Sequence, residues 1–124
     1  MSKPEHFEIL NERAVFRPRG QVSIEQAVEL VTAAIAFARS LHIQKLLVNA
    51  SNLTGFEPPD TAMRYFIIHE WARAAAGGVR VAFVAIPEMI DARKFGTTVA
   101  ANIGFTAHAF TSEEDALIWL ERVN

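Results

Sequence analysis

Apolar residues run from Val79 to Ile86 with only Arg80 interrupting them. A mostly apolar run of this length predicts a strand buried on both faces, as at the centre of a parallel sheet. Leu46, Leu47 and Val48 form a second, shorter run behind Lys45 and predict another buried strand. Upstream the period changes. Ile24, Val28, Val31, Ile35 and Ala38 make one apolar row at helical spacing, and Ala27, Leu30, Ala34, Phe37 and Leu41 make an adjacent one. Two neighbouring rows predict a helix buried over a wide face. Its start is marked by Ser23-Ile-Glu-Gln26, in which Ser23 caps and Gln26 reaches back.

The remaining elements follow from punctuation as much as from pattern. Phe7 to Leu10 reads as a short strand, with Asn11-Glu12 turning the chain into a second strand from Ala14 to Arg19. Pro18 lacks a ladder donor, so that strand lies near an edge or finishes there, and Gly20 breaks it. A second helix is predicted from about Asp60 to Ala76, stopped by Gly77-Gly78. Pro87 suits the first turn of a third helix ending at Gly104. Thr106 to Phe110 reads as the last strand. Thr111-Ser-Glu-Glu114 then matches a second capping box, opening a final helix with Ala116, Trp119, Leu120 and Val123 on one face. The order β-β-α-β-α-β-α-β-α predicts one α/β domain over residues 1–124. Its core is a single, mostly parallel five-stranded sheet with one antiparallel strand, flanked by four helices and joined by right-handed crossovers.

Composition narrows the chemistry. The chain has 124 residues, 51% of them hydrophobic, which suits one domain with a proper core. A net charge of −2 gives no electrostatic reason to expect nucleic acid or an anionic membrane surface. No run of eighteen apolar residues predicts a membrane span. The opening Met-Ser-Lys-Pro-Glu-His carries no apolar export signal, so the cytoplasm is the expected location. Zero cysteines remove disulfides, thiolate nucleophiles and cysteine metal sites together. His6, His42, His69 and His108 show no ligand spacing; His69-Glu70 begins a zinc-protease pattern that Arg73 fails to complete. No Gly-x-Ser-x-Gly elbow and no Walker-type loop occur. Neither catalytic residues nor a cofactor or metal are expected.

Lys45 to Asp60 carries the strongest functional signal, because a buried strand there empties into a polar, turn-rich loop before a helix starts. Ligands of open α/β sheets are met at such strand ends. Asn49, Ser51, Asn52, Thr54, Glu57 and Asp60 could converge on a ligand or partner, or simply make local turn bonds and cap the next helix. Phe56, Met63 and Tyr65 could extend that surface with apolar area suited to a protein or lipid. The helix behind them is unusually apolar. Met63, Phe66, Ile67 and Ala74 form one stripe, while Tyr65, Ile68, Trp71, Ala72 and Ala75 spread well beyond it. One stripe serves an ordinary surface helix, so the excess means either a deeper core or a face that meets a partner or ligand. Ala92, Gly96 and Ala100 align in the third helix, where a mid-helix glycine points to close packing on the sheet or on a ligand. Arg13, Arg17 and Arg19 fall on one side of the second strand, as solvent-facing edge charges or as an anion contact.

Arg19-Gly20-Gln21-Val22-Ser23 resembles the strand–Gly–turn–helix start of the STAS superfamily, whose founding members are bacterial anti-sigma-factor antagonists. Asn49-Ala-Ser-Asn-Leu-Thr-Gly-Phe-Glu57 resembles that superfamily's loop after the central strand. Ala109 to Leu120, with its Phe…Glu…Ala…Trp-Leu ending, is similar to an uncharacterised bacterial branch. The resemblance covers almost the whole chain and implies a non-catalytic regulatory or protein-interaction module, a homodimer or a partner of a regulatory protein. Pro58 and Pro59 stand where antagonist-type members carry a phosphorylatable serine pair, and Asn49 replaces the loop's leading Asp. Proline accepts no phosphoryl group, so the resemblance arrives without its phosphorylation switch. The same branch is similar in architecture to CRAL-TRIO lipid-transfer domains, which implies the alternative of a carrier or sensor of a small apolar ligand or lipid.

Overall fold

The computed structural model describes residues 2–90 and 95–122. Five strands form the main sheet: β1 (Phe7–Leu10), β2 (Arg13–Phe16), β4 (Lys45–Asn49), β6 (Arg80–Val84) and β7 (Ala107–Phe110). They lie in the order β1-β2-β4-β6-β7, with β1 antiparallel to β2 and every other pair parallel. The chain turns from β1 into β2 with Asn11 in the left-handed region (φ 62°), which asparagine tolerates better than most residues. Four helices follow the expected places: α1 (Ile24–Ser40), α2 (Thr61–Ala75), α3 (Phe95–Asn102) and α4 (Glu113–Arg122).

Alternation along the strands divides the core in two. Ala14, Phe16, Leu46, Val48 and Val81 face one way and pack with Val31, Ile35 and Ala38 of α1, Ala75 of α2 and Ala100 of α3. Val15, Leu47, Ala82 and Val84 face the other way, where α4 covers them with Ala116 and Leu120. The molecule is therefore three layers, with α1, α2 and α3 on one side and α4 on the other. The parallel register Phe16↔Val48↔Phe83 keeps large side chains in line across the first face.

Three predicted boundaries are corrected. The second strand ends at Phe16, and the chain beyond it forms β3 (Arg19–Gln21), which pairs in parallel with β5 (Asn52–Thr54) as a separate two-stranded ribbon. Pro18, without an N–H, lies between the two pieces. The segment at Pro87 forms one 3-10 turn, Pro87–Met89, and not the start of a long helix; α3 begins at Phe95. Ala92 lies outside the described residues, as does Val123. The second helix closes on Ala76 in the left-handed region (φ 47°), one residue before the glycine pair expected to do so.

Both predicted helix starts near the site form as read. Gln26 N–H donates to Ser23 Oγ (3.1 Å) and Ser23 N–H donates back to Gln26 Oε1 (2.9 Å). At α2, Met63 N–H donates to Asp60 Oδ1 (2.8 Å). At α4 the cap is Ser112, accepting from Asp115 N–H (3.2 Å), one residue later than Thr111.

Candidate functional site

An apolar cavity of about 300 Å³ lies between α1, α2 and the first face of the sheet. Val28 and Val31 supply the α1 wall, and Ile67, Ile68 and Trp71 supply the α2 wall. Phe83 and Ala109 form its floor. It extends to the carboxyl ends of β4 and β6, where Ala50, Leu53, Phe56 and Ile86 border it. Its volume sits at the small end of ligand pockets, roughly 300–1000 Å³.

The walls arise from ordinary local chemistry. Trp71 of α2 packs at a tilt against Phe83 of the sheet (centroids 5.3 Å apart, planes at 39°). Ala27 of α1 and Ala107 and Ala109 of β7 are small, and their short side chains leave the space unfilled. Arg64 is the one charged side chain on the described wall; its Nη1 donates to the Met89 carbonyl (3.1 Å) and ties α2 to the 3-10 turn. His108 borders the cavity in chain position, but its ring packs on Trp119 (5.9 Å) and Phe110 (5.0 Å) at the other face. The excess apolar surface read in the second helix divides between core, cavity and surface. Ile68 and Trp71 line the cavity, and Ile67 and Ala75 are buried. Phe66, read into the same stripe as Ile67, is instead 54% exposed.

The loop residues singled out from sequence divide by role. Asn49 bridges: its Nδ2 donates to Glu113 Oε2 (2.7 Å), while its Oδ1 accepts from Ser51 N–H (3.0 Å). Asn52 and Thr54 belong to the β3–β5 ribbon, and Thr54 Oγ1 donates to the Gly20 carbonyl at 3.4 Å. Glu57 is exposed, and Asp60 is the cap of α2. Phe56 borders the cavity, Met63 borders a shallow groove between α1 and α2 beside Phe66, and Tyr65 is 53% exposed and stacked on His69 at 4.2 Å. Phe56 and Met63 thus border different depressions. Ser51 is part-exposed and Asn52 exposed, and neither borders the cavity.

One cluster escaped the sequence reading. Arg17 Nε donates to Glu113 Oε2 (2.8 Å) and its Nη2 to Glu113 Oε1 (3.0 Å), a two-pronged pair that also receives Asn49. Arg13 pairs with Glu121, also on α4. Of the three arginines read as edge charges, Arg13 of β2 and Arg17 just after it therefore clamp α4 to that strand, which has a neighbour on each side, while Arg19 lies exposed in β3. The Arg17 hydrogen bonds hold the Glu113 carboxyl below its ordinary range, opposed by burial and assisted by Asn49. Arg17 is raised by the same bonds. A carboxyl with a depressed folded pKa stabilises the fold above its unfolded pKa and loses that contribution as the pH falls through the folded one. Glu113→Gln should therefore cost about 0.2–1 kcal/mol at neutral pH, since Arg17 is 44% exposed, and progressively less as the pH falls below the ordinary carboxylate range towards the depressed folded pKa. Urea unfolding of both proteins at pH 7 and pH 3 checks this; an equal gap at both would refute it.

Among the described residues, no three His, Asp or Glu side chains gather at metal-binding distance, and no helix is long and apolar enough to cross a membrane. No family profile and no curated protein matches this sequence. Solved structures do match it in shape. The NMR structure of the protein TM1081 covers 99% of this chain and 93% of its own at TM-score 0.55 and 13% identity. The anti-sigma factor antagonist SpoIIAA in its unphosphorylated form covers 94% of this chain and 97% of its own at TM-score 0.52 and 17% identity. The chain has the STAS fold: a mostly parallel five-stranded sheet with one antiparallel pair and four helices.

Proposed function

We propose that this chain is a non-catalytic STAS-like module whose state is set by a small apolar molecule held between α1, α2 and the sheet. The cavity of about 300 Å³ carries this reading. It lies at the carboxyl ends of parallel strands, where open α/β sheets meet their ligands. Its walls are apolar and aromatic, the lining that small-molecule pockets use. The loop from Ser51 to Asp60 supplies Leu53, Phe56 and Pro59 to the border, so a bound molecule would press on the segment that also faces outward.

Trp71 provides the test. It borders the cavity, whereas Trp119 packs on the opposite face, so a Trp119→Phe background leaves one reporter. Adding 1-octanol should shift Trp71 emission saturably, and Ala109→Phe, which fills the floor, should abolish the shift in a protein of unchanged circular dichroism. An emission spectrum indifferent to octanol would remove the cavity from the function.

The module on this reading works without a phosphorylation switch, because Pro58 and Pro59 offer no acceptor hydroxyl. The likeness to an anti-sigma factor antagonist supports a protein as the recipient of the signal, read through the loop. Incubation with host kinases should leave the intact mass unchanged; stoichiometric phosphate on Thr54 or Thr61 would restore the switch.

A further inference from the structure

Arg64 is the least expected side chain on the cavity wall. It stands one residue past the opening turn of α2, a turn without an acidic residue, where a cation runs against the helix macrodipole. Its guanidinium is half-buried, carries five N–H donors and spends one on the Met89 carbonyl. Among the described residues it makes no ion pair; the part-buried Arg80 makes none either, but Arg80 does not line the cavity. A local choice that opposes both propensity and charge pairing is expected where function requires it.

We propose that the cavity selects a monocarboxylic acid with a compact apolar body, the carboxylate meeting Arg64 and the body lying between Val28, Ile68, Trp71 and Phe83. This rests on the reading of the cavity as a ligand site and names the class of ligand. The guanidinium fork matches a carboxylate in two parallel hydrogen bonds, which an alcohol cannot reproduce. One unpaired positive charge balances one carboxylate; a phosphate monoester would bring about −1.5 to −2 and leave negative charge against an apolar wall.

The experiment titrates the Trp119→Phe protein with octanoate, 1-octanol and octyl phosphate at neutral pH, following Trp71. Octanoate should bind at least about tenfold tighter than octanol, the gain expected of a hydrogen bond to a charged group. Arg64→Gln should abolish that preference, bringing octanoate level with octanol, and Arg64→Lys should retain part of it. Octanol binding as tightly as octanoate, or a preference that survives Arg64→Gln, would overturn the acid selectivity and leave the apolar cavity standing. Octyl phosphate binding tighter than octanoate would overturn the carboxylate assignment. Binding of none of the three would remove the ligand site itself and this inference with it.

Discussion

Leu120→Ala should lower the melting temperature by more than about 10 °C. Leu120 is completely buried, and with Ala116 it is how α4 covers Val15, Leu47, Ala82 and Val84. Removing a buried leucine costs about 2–5 kcal/mol, the transfer term plus the hole left behind. Relaxation should be limited, because the sheet below is tied on both sides and α4 is pinned at both ends by Arg17–Glu113 and Arg13–Glu121. A domain stable by roughly 5–15 kcal/mol loses a large share of that margin, and at this chain length about 3 kcal/mol corresponds to a shift of some 10 °C. Trp119→Ala should cost less than Leu120→Ala. The indole is only part-buried and leans on Phe110 (5.8 Å) and His108, so its loss exposes the edge of the face without hollowing it. Calorimetry of the two variants ranks them; Trp119→Ala emerging as the more damaging would show that α4 is held by its rim and not its buried row.

Gly55→Ala should also destabilise the protein, by about 1–3 kcal/mol from backbone strain alone. Gly55 sits at φ 102°, where side-chain-bearing residues rarely go, and a Cβ there would stand 2.6 Å from the Val22 carbonyl oxygen. That oxygen belongs to the backbone, which cannot swing away as a side chain could. Val22 N–H donates to the Thr54 carbonyl (2.8 Å), so relief of the clash must open the end of the β3–β5 ribbon. The consequence reaches the site, since Leu53 and Phe56 flank the glycine and border the cavity. Denaturant unfolding should show the loss, and Trp71 should respond more weakly to octanol. Stability within about 0.5 kcal/mol of the parent, the ordinary range for a surface change, would mean that the loop rearranges freely and does not shape the cavity.

The arrangement of Glu113, Arg17 and Asn49 shows how far pattern reading reaches. Each residue has a plausible local role in sequence: an acid in the first turn of the last helix, an edge-strand cation, a loop amide. Their meeting depends on α4 crossing back over the sheet, which brings residue 113 to the end of β4 and beside the chain leaving β2, 64 and 96 positions away. Nothing in a linear pattern encodes such separations. The β3–β5 ribbon was hidden for a different reason. Three-residue strands are too short to show a period, so Arg19–Gln21 read as a fraying strand end and Asn52–Thr54 as loop.

By itself the sequence determined the class of fold, the order of its main elements, the buried strands β4 and β6, and the caps at Ser23 and Asp60. These depend on local periodicity and on side chains bonding to backbone three residues away, which a linear reading contains. It also flagged α2, whose surplus apolar residues meant either a deeper core or a face for a partner or ligand. Only the tertiary structure decided what it meets. Val28 read as a routine core position and Ile68 and Trp71 as surplus, and a cavity is the mismatch between such side chains and the spacing of the elements that carry them. That spacing is set by the whole three-layer packing, Trp71 on Phe83 included, not by any one segment. Arg64 gains its meaning in the same way, as a cation whose significance comes from the apolar wall into which the fold sets it.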